Sequence, residues 1–203
     1  MPKGLYSHHG GDGEVVAYER FSCAPGPEGW RYAAEVRDAS DSARIGSVDV
    51  TVDRRWRPVR VEVGGGGWVV RGGLAGAALM WVRTGPSGAG AHEGSARAAG
   101  FSGRSPAFSV VTARLLGLSV GDVADVRLVT LTEPVLAPRT ADERWRLVEV
   151  TPHETATRPL PVEHLEAIDL ETGETRQVHL AGDVVLAAPG VALEELGSPP
   201  TLA

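Results

Sequence analysis

Chemistry in this 203-residue chain can come from only a few places. The stretch "AHEGSARAAGFSGR" sets His92 beside Glu93 and ends at Arg104. An imidazole next to a carboxylate is the pair that general acid–base catalysis near neutral pH uses. Arg104 falls just before a predicted helix, and a guanidinium at a helix N-terminus favours an anion. The same residues equally suit a solvated loop with a capping arginine. A second cluster, "SHHGGD", holds His8, His9 and Asp12, but neighbouring residues on a strand point to opposite faces. His92, His153, His164 and His179 show no metal-ligand spacing. The four glycines Gly64 to Gly67 are followed by neither Gly-Lys-Ser/Thr nor a helix, so they read as a strand connection, not a phosphate cradle. No Gly-x-Ser-x-Gly elbow is present. Cys23 is the only cysteine, which excludes an internal disulfide and a cysteine-based metal site. Neither a metal nor an organic cofactor is expected.

Large apolar bodies are supplied by Trp56, Trp68, Trp81, Trp145, Tyr18, Tyr32 and Phe108. Most strand aromatics fill a core. Where curved sheet and helix part, however, aromatics with a few arginines suit an amphipathic ligand. The expected ligand-binding set is Trp56, Trp68, Arg71, Trp81, Arg83, Arg104, Phe108 and Arg114. His92 and Glu93 form the expected acid/base pair if the cavity is catalytic.

The elements that must position these groups are mostly strands. Val48, Val50 and Val52 alternate with Asp49, Thr51 and Asp53, and Val59, Val61 and Val63 alternate with Arg60 and Glu62; each set of valines is expected on one face. Strands are also read at Gly13–Ser22, Gly29–Asp38, "GWVVRGG", "GAALMWVRT", "HEGSARAAGF", "DVRLVTLT", "EPVLAPR", "RWRLVEV", "HETATRP" and "DVVLAAPGV". A mobile loop is expected within Thr84–Arg104, and "HLEAIDLETGETRQVHL" is a hairpin turning at Thr172 and Gly173. One stretch differs. Ser105 is a good N-cap, Pro106 suits the first helical position and Gly117 the end, which predicts a helix over Pro106–Leu116. Phe108, Val111, Leu115 and Leu118 form its apolar stripe, and its other side is also small or apolar, so the helix is expected to be mostly buried. Arg114 is its one charge and needs a partner or an outlet.

Hydrophobic residues make up 42% and charged residues 23% of the chain, and the net charge is −6. That balance fits a soluble globular domain and argues against a nucleic-acid or anionic-membrane surface. No apolar signal core or membrane-spanning run occurs, so the chain reads as cytoplasmic without membrane insertion. One domain over residues 1–203 is expected, with flexible ends at 1–12 and 197–203.

The succession "GRSPAFSVVTARLLGLSVGD" and "VRLVTLTEPVLAPRTADERW" resembles a bacterial family described as glycolipid-binding proteins. The resemblance rests on Ser105 and Pro106 at the helix start, the Arg114–Leu115 pair, Pro134, Val135 and Leu136, and upstream Asp53 and Trp56. The closing Pro189–Gly190 also matches, with Ala188 where the family has an aromatic residue. It implies a mainly β spiral β-roll, α+β by count: a long curved antiparallel sheet wrapped around a single central α-helix, often as a homodimer. The functional expectation is binding of a hydrophobic or amphipathic small molecule, lipid-like, glycolipid or polyketide-like, in a cavity between sheet and helix. The alternative is a small cyclase, isomerase or hydrolase of bacterial specialised metabolism using that cavity.

Overall fold

A computed structural model describes residues 1–88, 90–155 and 159–202. It is mainly β, with one α-helix among the described residues and all strands in one sheet. Strands β1 (Lys3–His9), β2 (Val15–Gly26), β3 (Gly29–Asp38), β4 (Arg44–Asp53), β5 (Pro58–Gly65), β6 (Trp68–Ala75), β7 (Ala78–Thr84) and β8 (His92–Ala96) form the first half. After β9 (Gly100–Ser102) and α1 (Pro106–Leu116) come β10 (Val123–Thr132), β11 (Ala137–His153), β12 (Leu160–Asp169), β13 (Thr175–Ala181), β14 (Val184–Ala188) and β15 (Val191–Leu196). Neighbours run β8-β7-β6-β5-β4-β3-β2-β1-β15-β14-β13-β12-β11-β10-β9. Every pairing is antiparallel except β9 with β10, where α1 makes the crossover that a parallel pair needs.

The sheet has to curve. β8 and β9 are its two edges, yet only residues 97–99 separate them in the chain. Four steps between successive Cα atoms reach about 15 Å, whereas a flat sheet of this many strands would spread its edges by nearly 70 Å at about 4.8 Å per strand. Contacts across the curve agree. The Phe101 ring lies against Gly72, and Leu136 of the β10–β11 turn approaches Gly65.

Alternation along the strands builds one continuous core. Val48, Val50 and Val52 are buried as expected, together with Tyr6, Phe21, Trp30, Tyr32, Val61, Val70 and Leu79. Val59 is a correction, because it is 58% exposed. Thr51 pairs with Arg60 and Val52 with Pro58, so a bulge skips Val59 and turns it outward, while Pro58 takes the inner position.

The helix matches its sequence signals. Ser105 Oγ caps the Ala107 N–H, Pro106 opens the first turn, and Gly117 closes the helix at φ +57° with its N–H on Ala113 O. Its first two turns are buried, Phe108, Val110 and Val111 included, while Leu115 is half-buried.

Residues 3–9, expected within a flexible end, instead form β1, which sits mid-sheet with both edges paired to β2 and β15. The far end is tied down as well. Gly197 N–H donates to Lys3 O, and Thr201 N–H donates to Asp183 Oδ1. "HEGSARAAGF", read as one strand, is split into β8 and β9 at opposite edges. Residues 156–158 of the predicted strand "HETATRP", residue 89 of the predicted loop and residue 203 of the tail lie outside the described residues.

Candidate functional site

Glu19 occupies an apolar phase. Ala17, Glu19, Phe21 and Cys23 alternate inward along β2, and Glu19 is only 1% exposed. A buried carboxylate persists only with donors around it, and three elements supply them. His8 of β1 places Nε2 2.8 Å from Glu19 Oε2. Tyr32 of β3 donates its phenol O–H to Oε1 at 2.6 Å, and the helix cap Ser105 donates its hydroxyl to the same oxygen at 2.6 Å. Burial, and next the Glu19 charge, push the Tyr32 phenol well above its ordinary pKa, which keeps it a donor. Tyr6 is raised for the same two reasons, and its ring stacks on Phe21, which stacks on Tyr32.

His8, Glu19 and Ser105 line a cavity of about 280 Å³ between sheet and helix N-terminus. Its walls are apolar: Val36, Val48, Val63, Phe108, Leu131 and Leu136. Leu136 holds φ +50°, a left-handed conformation uncommon for a branched apolar residue. At the rim Arg104 is paired with Glu133 (3.1 Å) and donates to His9 O. Arg104 therefore does not stand ready as a free anion anchor, and Pro106 leaves no N–H at the first helical position. His8 Nδ1 is buried without a hydrogen-bond partner among the described residues.

A second cavity of about 230 Å³ is lined by Trp30, Trp56, Arg114, Gly182 and Asp183. Trp56, at φ +60°, packs its ring 5.4 Å from that of Trp30. Arg114 is held by protein groups: a two-pronged bridge to Glu163 (2.9 and 2.8 Å) and two bonds to Gly182 O (3.1 and 2.6 Å). A larger groove of about 900 Å³ crosses β1–β5 on the outer face. Much of its charge is neutralised locally, by Arg60 with Glu62, Arg44 with Glu35, and Asp49 with Arg31.

The expected ligand-binding residues are thus divided. Arg104 and Phe108 line the first cavity, Trp56 and Arg114 the second. Trp68, Arg71, Trp81 and Arg83 lie on β6 and β7, outside both. Arg83 stacks 3.6 Å over the Trp68 ring and donates to Val135 O, Arg71 bridges to Glu62, and Trp81 covers Gly94. His92 and Glu93 are exposed on the edge strand β8 and line neither cavity. As strand neighbours they point to opposite faces, so the structure does not bring them together. Among the described residues no group of three or more His, Cys, Asp or Glu could hold a metal ion. The sequence reading missed His8, Glu19 and Tyr32 as one cluster. A glutamate in phase with Ala17, Phe21 and Cys23 was the signal available.

These features define a β-rich, single-sheet protein with a small cavity where the sheet meets its helix. No family model matches the chain, and neither does a curated protein. Among solved structures it is similar to a DUF1089 family protein from Pseudomonas aeruginosa, with a TM-score of 0.51 and 15% identity over 87% of this chain and 91% of that one. At that identity the likeness is one of fold.

Proposed function

We propose that the protein binds a small hydrophobic or amphipathic molecule in the cavity between sheet and α1. The observation that carries this reading is an apolar cavity closed at one end by a buried polar cluster, the combination that orients small ligands. In this reading the sheet forms a spiral β-roll around the helix, and the chain works as a single-domain carrier or sequestering protein. The size points to a compact ligand or the end of a longer one. Ligand sites start at about 300 Å³, and a dry cavity of about 150 Å³ already accepts benzene.

A catalytic reading also has an observation in its favour, since His8 held by Glu19 is an oriented imidazole. It would shift the acid/base role from His92 and Glu93 to His8.

The test is a thermal-shift and calorimetric screen with small aromatic and alicyclic compounds, run on wild type and on Val63→Phe, which projects a ring into the cavity. Binding should raise Tm in wild type by mass action and be lost in the variant. No binding by wild type, or equal binding by both, refutes the reading.

A further inference from the structure

The hairpin of β12 and β13 sets two imidazoles side by side. His164 and His179 stand directly opposite each other in its register, and opposite residues of an antiparallel pair point to the same face. Their chain neighbours Leu165, Val178 and Leu180 are buried, so the two histidines lie on the face away from the core. Their ring centroids are 4.6 Å apart and the rings are tilted by 58°. Two imidazoles on one ion have much the same spacing. Metal–nitrogen bonds of about 2.0–2.1 Å, at angles between square and tetrahedral, put the centroids about 4.5–5.3 Å apart.

The nitrogens are open to such an ion. His164 Nε2 lies 2.7 Å from Thr151 Oγ1 on β11, and β11 and β13 flank β12 on opposite sides. The two nitrogens of an imidazole point in widely diverging directions, so Nδ1 of His164 is turned toward β13, where His179 stands. Among the described residues this Nδ1 and both nitrogens of His179 have no hydrogen-bond partner, and all three keep contact with solvent. A ligating imidazole commonly gives its other N–H to an oxygen acceptor, which fixes the tautomer and the ring. Thr151 Oγ1 is placed to be that acceptor. Charge also favours a cation: Glu149, opposite His164 on its other flank, is exposed and in no ion pair among the described residues. One row along, Arg146 and Glu166 stand opposite each other and offset.

We infer that His164 and His179 form a two-point site for a divalent transition-metal ion that prefers imidazole nitrogen, Cu(II) foremost, with water completing its shell. The turn at Thr172 and Gly173 separates the two ligands in the chain, so hairpin register makes the site and no spacing along one element announces it. Neither histidine lines any of the three cavities, and the site does not depend on them.

The experiment titrates the untagged full chain with Cu(II), Ni(II), Zn(II) and Mg(II) by calorimetry and records the paramagnetic resonance spectrum of the Cu(II) form. Cu(II) should bind tighter than Ni(II) or Zn(II), Mg(II) should not compete, and the spectrum should show two nitrogen ligands. His164→Gln and His179→Gln should each weaken Cu(II) by about tenfold or more, because the second imidazole engages at high effective concentration. Thr151→Val should weaken it by about tenfold. His92→Gln, which removes a lone exposed histidine, should change nothing. Unaltered Cu(II) affinity in both histidine variants overturns the site, as does an equal loss in His92→Gln. Absence of binding, or binding only at millimolar Cu(II), overturns it too. Should a histidine variant fail to fold, Zn(II) added to wild type must shift the ring ¹⁵N resonances of His164 and His179 together, and movement of one alone or of neither overturns the pair.

Discussion

Removing the Glu19 carboxylate should be among the more damaging single changes available to this fold. Glu19→Ala would strip the acceptor from three buried donors at once: His8 Nε2, the Tyr32 phenol and the Ser105 hydroxyl. An orphaned buried donor costs about 1–3 kcal/mol. The adjacent cavity gives water a route to relieve some of that, so the low end applies to each group. Adding the lost packing, a destabilisation of about 3–5 kcal/mol is expected, similar to breaking a buried ion pair. Glu19→Gln should cost only about 1–2 kcal/mol, because its carbonyl can still accept both hydroxyls while its amide faces a re-tautomerised His8. Urea unfolding, read as the change in midpoint at constant slope, measures both. Coupling provides a further check. Tyr32→Phe removes one donor, so in the Glu19→Ala background it should cost about 1 kcal/mol less than additivity predicts. A Glu19→Ala variant within about 1 kcal/mol of wild type would refute the reasoning, as would Glu19→Gln and Glu19→Ala being equally unstable.

Alkaline stability follows from three buried acids. Tyr6, Tyr32 and Cys23 all have their pKa raised by burial first and by neighbouring charges next, from reference values of 10.0, 10.0 and 9.0. Their contribution is complete below about pH 9 and is lost above it as the unfolded chain gives up protons that the native state retains, at up to about 4 kcal/mol per pH unit above pH 10.5. The part of the absorbance rise at 295 nm that comes from Tyr6 and Tyr32, two of the three tyrosines, should therefore coincide with loss of the near-ultraviolet dichroism, and ionisation of both in a folded protein would contradict this. Arg114→Met should destabilise by about 2–3 kcal/mol, less than for a fully buried pair because Arg114 and Glu163 keep some exposure. Binding in the cavity lined by His8 should be unaffected, and a selective loss of binding with stability intact would reassign Arg114 to ligand recognition.

Local signals were legible and non-local ones were not. The helix could be bounded from Ser105, Pro106 and Gly117 because caps act within a few residues of chain. The β4 and β5 strands were legible because valine alternation is a property of each strand by itself. The Val59 bulge was not, since it arises from the register between β4 and β5. The place of His8 was not legible, because an N-terminal segment of mixed polarity gives no hint that it lies between β2 and β15. Glu19, one carboxylate in an apolar phase, was visible, but its partners come from β1, β3 and the helix cap, and only the folded sheet assembles them.

The strand order carries one more consequence. Read from β9 through β15 and then from β1 through β8, it is the chain order itself, cut at a different point. Cleavage at residues 97–99, with a short peptide joining the β15 and β1 ends, would give a circular permutant in which each strand pairs with its sequence neighbour. In the natural connectivity the Gly4–Leu196 register closes only after nearly the whole chain is in place, at an entropic cost about 3 kcal/mol above that of a short hairpin. The seam lies in the middle of the sheet, next to the strand that carries His8. Partial opening of this molecule would thus begin at its centre, beside the cavity, while the short β8–β9 link keeps the outer edges together.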